Sequence, residues 1–427
     1  MAITNNFIFQ KITNSKLLKK AGTVFTGSVL AQGLILGTAP ILSRLYEVSQ
    51  FGEMGFFMLV GMFGTQLFNW RLDFGIISSK NQEDAKKLVS ACLWASIISA
   101  FLMLLLLTFL NLSISKKAGF EFKIYIIPVV AYSASYAIWN NISFYNIKEL
   151  KYKKNAKFSI IRALITVIIS IGFYNWKSFN GLIAGLLIGQ TVTSVWLLLS
   201  TFPSNYHSFW NYGNFSFKIF KKTVSQNRGL IQYSLPSAAT ELLAGQLPQY
   251  FIGGFGSTVF GWFSQANRLL NAPLDLIGQS FRSVFWESAG REFNNSGNCR
   301  ILFYKTVLLL ILSSILPFTL IYWFSTELFV WFLGDGWEQA GIYAKWLIPM
   351  CFFRFVSNPV SSLFYITNKQ KIDFFIQFLF VVLIICVFFF PGVGIKKSET
   401  AIIIYSILYS LKYILELVYS WIFALGK

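Results

Sequence analysis

LVSACLWASIISAFLMLLLLTFLN, residues 88–111, is a continuous run without one charged side chain. At 1.5 Å per residue a helix of this length covers the ~30 Å hydrocarbon core of a bilayer. A span of this kind sets the reading of the rest of the chain. Of 427 residues, 55% are hydrophobic and only 12% are charged, about half the charged share of an ordinary soluble domain. The charges present are lopsided: 36 Lys and Arg against 17 Asp and Glu, a net charge of +19. Nucleic-acid binding is the usual alternative for so basic a chain, but bilayer-length runs exclude it. A membrane protein gathers Lys and Arg in its cytoplasmic loops instead. One histidine, His207, leaves almost no material for His-based metal or nucleophile chemistry. The four cysteines (Cys92, Cys299, Cys351, Cys386) are scattered and form no CxxC pair. No cofactor, no metal and no enzymatic activity are expected.

Working outward, apolar runs between polar punctuation predict an all-α integral membrane fold of twelve transmembrane helices. Their approximate limits are 21–43, 52–70, 88–111, 122–145, 157–175, 180–202, 228–252, 257–284, 301–324, 340–366, 372–391 and 399–425. The first follows Lys11, Lys16, Lys19 and Lys20, is too long for a signal-peptide core and lacks a cleavage site, so it reads as a retained span. The longest connection is polar and basic and falls at the midpoint. It divides the chain into an N-lobe (1–202), a cytoplasmic linker (203–227) and a C-lobe (228–427), six helices to a lobe. With the N-terminus inside, the cytoplasmic segments hold Lys80, Lys86, Lys87, Lys148, Lys151, Lys153, Lys154, Lys218, Lys221, Lys222, Arg291 and Arg300. The outer segments are far poorer in base, and the one around Glu327, Asp335 and Glu338 has none. Both termini are therefore expected in the cytoplasm of a bacterial cell (inner) membrane.

A weak internal repeat runs through the chain. A shift of 206 residues lays Gly55 on Gly261 and Phe57 on Phe263. It also lays Thr65, Asn69 and Asp73 on Asn271, Asp275 and Gln279. In the eighth span Ser264, Arg268, Asn271, Asp275, Gln279 and Arg282 recur at steps of three or four residues, so they share one face. Two polar faces in corresponding helices fit a wet central cavity. They equally fit stripes zipped against neighbouring helices by hydrogen bonds.

Charges inside spans carry the functional expectation. Arg162, Arg282, Lys305 and Lys345 lie near span ends, where a long side chain snorkels to the interface. Arg268, Arg354 and Lys412 lie deep, as do the acids Glu241, Asp275 and Glu416. Lys412 and Glu416 are an i, i+4 pair. Arg268 and Arg354 are candidates to face an anionic ligand. Glu241, between Pro236 and Pro248, either carries a coupling proton or cation or pairs with Arg268 or Arg354.

LSRLYEVSQFGEMGFFM (42–58) with RLDFGIISSKNQEDAKKLV (71–89) resembles the N-terminal signature of bacterial polysaccharide and O-antigen flippases. YSLPSAATELLAGQLPQYFIGGFGSTVFGWFSQANRLLNAPLDLIGQSFRSVFWESAGRE (233–292) is similar to the start of their second lobe. These belong to the multidrug/oligosaccharidyl-lipid/polysaccharide (MOP) exporter superfamily, with lipid II flippases and MATE transporters as relatives. The resemblance implies a V-shaped bundle of two six-helix lobes that moves an undecaprenyl-diphosphate-linked oligosaccharide, an O-antigen or capsule repeat unit, to the outer leaflet by alternating access. It implies a cationic lumen at Arg268 and Arg354, with Asn271, Asp275, Asn69 and Asp73 around it. Arg44 and Arg71 would be gate charges, beside Glu241, Lys412 and Glu416 as gate or coupling candidates. The first-lobe spans carry no mid-helix basic residue, which argues against a symmetric diphosphate clamp.

The implied partners are the lipid-linked oligosaccharide, the bilayer, H+ or Na+ for coupling, and other polysaccharide-assembly proteins. Trp262, Phe263 and Trp286 are candidates to stack on sugars. Two alternatives stay open: an ion-coupled small-molecule antiporter of the same fold, and a membrane polysaccharide polymerase or ligase. The second lacks the sizeable outer loop such enzymes use.

Overall fold

The computed structural model describes residues 27, 29–79, 81–118, 121–176, 179–202, 216–389 and 395–426. Lys11, Lys16, Lys19, Lys20, Lys80, Lys177, His207 and residues 203–215 of the expected linker lie outside them. Twelve long helices follow one another among the described residues, with no strand. They are α1 (Val29–Leu45), α2 (Val48–Leu67), α3 (Gln82–Ala118), α4 (Ile126–Lys148), α5 (Tyr152–Gly172), α6 (Gly181–Thr201), α7 (Leu235–Gly253), α8 (Ser257–Ser296), α9 (Arg300–Leu333), α10 (Glu338–Val360), α11 (Gln370–Phe389) and α12 (Ser398–Ala424). This is the all-α membrane fold the apolar runs predict.

Eight of the twelve, α3 to α6 and α9 to α12, are long and apolar enough to cross a bilayer by themselves. α1 is apolar but shorter. α2, α7 and α8 carry the polar residues singled out above, and a helix that polar needs a protein or water surface along one side. Several boundaries differ from the sequence reading, among them α3, which runs from Gln82 to Ala118 and not 88–111. α8 continues past 284 to Ser296, because REFNN extends the helix after the apolar pattern has ended. α9 runs on to Leu333 through a break at Phe324 (φ −108°, ψ 16°). α5 starts at Tyr152, within the basic stretch assigned to a loop. Part of the linker is itself a helix, Phe217–Gln226, whose first turn is capped by the Ser216 hydroxyl accepting from Lys218 N–H.

The residues cluster in two compact units. Of the described residues, unit 1 holds those up to Leu42, Val60–Ile114 and those within Glu121–Ala239; unit 2 holds Ser43–Leu59, those within Ser115–Phe120 and those from Thr240 onward. α2 therefore gives its second half to unit 1 and its first half to unit 2. The core of unit 1 gathers around Leu72, Ile76, Val89, Cys92, Ile142 and Leu197. In unit 2, α10 packs on α8, α9 and α12.

Small residues decide how close helices come where lipid offers no hydrophobic contrast. At the crossing of α2 with α8, a Cβ on Gly52 would overlap the Ser257 carbonyl, and one on Gly261 the Val48 carbonyl. Phe57 and Phe263 beside this crossing are both fully buried. The segments matched by the 206-residue shift thus lie at this crossing, where Gly55 faces the Ser264 side chain.

A second repeat signal lies in two turns. Leu150 after α4 and Asn368 after α10 both adopt positive φ (59° and 55°). Around them Lys151 N–H donates to Asn146 O (2.7 Å) and Leu150 N–H to Ile147 O (3.0 Å). Likewise Lys369 N–H donates to Phe364 O (2.8 Å) and Asn368 N–H to Tyr365 O (3.2 Å). This paired 6→1 and 5→2 pattern is the Schellman motif, which satisfies the last carbonyls of a helix.

Candidate functional site

In unit 2 the polar stripe of α8 meets α10 and α12. Arg354, midway along α10, donates from Nη2 to Asp275 Oδ1 at 2.6 Å and from Nη1 to Asn271 Oδ1. The Asn271 amide is oriented for this, since its Nδ2 donates one turn back to Asn267 O at 2.8 Å. Two α8 side chains one turn apart thus hold the two arms of one guanidinium, the geometry that favours Arg over Lys. Tyr405 and Tyr413 of α12 are its further electrostatic neighbours. The pair is not sealed: the Arg354 side chain is 26% exposed and that of Asp275 38%. Arg268 is half-buried on the same face and Gln279 is exposed, so the stripe opens as it runs along the helix.

A ladder of tyrosines on α12 supports this face. Tyr405 and Tyr409 lie 4.8 Å apart and Tyr409 and Tyr413 6.1 Å. The Tyr409 hydroxyl donates to Ala244 O of α7. Phe263 packs against Phe260 and Tyr405 with no exposure, so it is a core residue and not a sugar platform. Trp262 donates to Gly336 O (2.9 Å). Trp286 is 44% exposed and stacks on Tyr365. The i, i+4 repeat of tyrosines was visible in the sequence, but nothing there linked it to Arg354.

Lys412 and Glu416 form the expected pair at 3.5 Å, with side chains only 10% and 8% exposed. Ser357 donates to Glu416 Oε2 (3.5 Å), and the Lys412 ammonium lies 5.5 Å from both the Tyr409 and Tyr413 rings. An acid the sequence reading passed over, Asp373 of α11, accepts from Gln377 and faces Lys412, Glu241 and Arg282. Asp373 and Gln377, one turn apart on an otherwise apolar helix, were the available signal. Glu241 is exposed and sits in this second cluster, whereas the carboxylate partner of Arg354 is Asp275.

The matching residues of unit 1 do not form a stripe on one helix: α2 ends at Leu67 after Thr65, Trp70 and Arg71 turn the chain at positive φ, and Asp73 opens a separate short helix, Asp73–Ser78. Asn69 is 1% exposed, donating to Ala137 O (3.2 Å) and accepting from Ser96 (2.9 Å). Asp73 is buried one turn on, and Phe74 N–H donates to it at 3.2 Å. Burial pushes the Asp73 carboxyl above the usual range, against the pull of Arg71, Phe74 N–H and Asn69. Arg71, at φ 60°, lies 5.0 Å from the Phe74 ring. Arg44 reaches Phe332 O (3.4 Å), and its neighbour Ser43 donates to Leu333 O (2.6 Å). Both close the C-terminus of α9, where a cation is favoured by the helix dipole. Arg162 does not snorkel. Because α5 begins at Tyr152, Arg162 falls at mid-helix. It donates to Gln190 Oε1 (3.0 Å) and lies 4.7 Å from the Trp139 ring. Unit 1 thus does hold a mid-helix basic residue.

A sequence profile described as polysaccharide biosynthesis protein matches residues 41–341. Comparison with curated proteins finds no match. Among solved structures, the fold is similar to lipid II flippase MurJ in an inward closed conformation: TM-score 0.70, 14% identity, covering 94% of this chain and 87% of that one. It is similar to an inward-facing multidrug resistance MATE transporter of the MOP superfamily at TM-score 0.66 and 14% identity, covering 93% of each chain. It also matches a MOP superfamily transporter from Pyrococcus furiosus at TM-score 0.58 and 13% identity, covering 94% of each. At these identities the likeness establishes a MOP-type fold.

Proposed function

The chain belongs to the polysaccharide biosynthesis protein family, and from that premise we propose that it flips an undecaprenyl-diphosphate-linked oligosaccharide, an O-antigen or capsule repeat unit, from the cytoplasmic to the outer leaflet of a bacterial inner membrane. The observation that carries the reading is the Arg354 guanidinium: deep in a spanning helix, oriented by Asp275 and Asn271, and still open on one side. A sugar head group cannot cross hydrocarbon without polar partners. Its diphosphate is matched by planar guanidinium donors, and Arg354 with Arg268 supplies them. The lipid tail stays in the bilayer throughout. Two six-helix lobes, 1–202 and 228–427, would alternate access around the head group, with both termini cytoplasmic and with H+ or Na+ as the coupling ion.

The antiporter reading has less support: of its two candidate coupling acids, Asp275 is already neutralised by Arg354, which leaves Glu241 alone to take a cation. The test is flipping of a fluorescent polyprenyl-diphosphate oligosaccharide in proteoliposomes. Loss of Arg354 removes a charge-assisted contact of roughly 1.5–3 kcal/mol, so Arg354→Ala should slow flipping by about tenfold to a hundredfold. Arg354→Lys should recover only part of this, since it cannot bridge Asn271 and Asp275 together. Wild-type rates in both Arg354→Ala and Arg268→Ala would overturn the proposal, as would saturable transport of small cations with no movement of the lipid.

A further inference from the structure

An open apolar groove lies on unit 2. It measures about 320 Å³ and runs between α9 and α10, with Ile315, Phe318, Thr319 and Tyr322 on one wall and Ile348, Pro349, Phe352 and Phe353 on the other. Its cause is visible in the backbone. At Gly341 the two helices touch so closely that a Cβ there would overlap Thr326 Cα. Below that pinch Pro317 and Pro349 interrupt the helix hydrogen bonding and Phe324 leaves helical geometry, so the antiparallel helices part. Phe318, edge-on to Phe352 at 5.9 Å and to Phe355 at 6.4 Å, forms the floor.

One cation stands at the end nearest the pinch. Lys345 lies one turn above Ile348 and Pro349 on the same face of α10, with its ammonium 4.8 Å from the Tyr322 ring. Among the described residues it makes no ion pair. It sits about 10 Å along α10 from the Glu338 end, the end assigned to the outer surface, within snorkelling reach of lipid phosphates. The groove beneath it is faced by four aromatic rings.

We propose that this groove holds the tail of a polyprenyl diphosphate lipid in the outer leaflet, with Lys345 on its phosphates. This deepens the flippase reading and rests on it. Once the head group has left Arg354, the carrier would remain attached by its tail and leave sideways into the bilayer. The charge complementarity names an anionic lipid. The aromatic walls suit a methyl-branched, unsaturated tail, whose double bonds pack on ring faces.

The test is photolabelling with a polyprenyl diphosphate carrying a diazirine in its tail. It is done on the full chain in vesicles of phosphatidylethanolamine and phosphatidylglycerol. Saturable label should fall on the peptides holding residues 315–322 and 348–353. Lys345→Glu should cut it by about tenfold or more, the scale of one charge-assisted contact, and Lys345→Arg should preserve it. Thr319→Trp, which fills the groove from its exposed wall, should also abolish it, while Arg354→Ala should leave it intact. Saturable label elsewhere on the chain would overturn this inference and spare the flippase reading. Equal displacement by added phosphatidylglycerol would make the groove an ordinary lipid seat and overturn it too. No saturable label anywhere would overturn both.

Discussion

Lys412 and Glu416 show how a deep charge can be structural. They are one turn apart, almost wholly buried, and surrounded by Ser357 and two tyrosine rings. Removing one partner leaves the other charge buried alone, a loss of roughly 3–5 kcal/mol, whereas replacing both by apolar residues is close to neutral or stabilising. Glu416→Ala should therefore lower the melting temperature of the purified protein sharply. The double variant Lys412→Met, Glu416→Leu should melt near wild type and still flip lipid in proteoliposomes. A stable but inactive double variant would instead make this pair part of the transport machinery. Arg354 differs from Lys412 in two respects that the sequence does not carry: its partners lie on another helix, and its side chain remains partly exposed.

At the scale of elements, the Schellman turns after α4 and α10 put different residues in the same left-handed position. Asn368 tolerates that conformation, while Leu150 is strained by about 1–2 kcal/mol. Leu150 is also 57% exposed, so its side chain contributes little packing. Leu150→Gly should raise stability by roughly 0.5–1 kcal/mol after the entropy cost of glycine. A thermal melt that drops instead would mean that Leu150 contributes contacts the strain argument ignores. Element existence was legible in the sequence and element length was not. The apolar pattern that announces α8 stops near 284, while the helix continues to Ser296 through residues that report solvent. The polar stripe of α8 was readable from its spacing, as was the i, i+4 pairing on α12. That α2 stops at Leu67, so that Asn69 packs from a turn onto Ala137 and Ser96, required the tertiary structure.

For the whole molecule, the basic excess sets orientation. Arg291 and Arg300 bracket one end of the α8–α9 turn, while the α9–α10 turn carries Asp335 and Glu338 with no Lys or Arg. In a Cys386→Ala background, Asp335→Cys should react with a membrane-impermeant maleimide on intact cells, and Asn298→Cys only after the cells are opened. The reverse pattern would invert the topology and with it the direction of transport.

The sequence by itself determined the membrane class, the spans and their expected orientation. These follow from local quantities: a backbone in hydrocarbon must satisfy its own hydrogen bonds, so spans announce themselves as unbroken apolar runs, and Lys and Arg mark loops one at a time. Only the tertiary structure decided which deep charges meet. Arg354 and Asp275 stand 79 residues apart, and no periodicity within either helix says that their faces coincide. Packing, set by glycines at close crossings and prolines at kinks, made that choice. It also opened the groove beneath Lys345, which no single helix encodes.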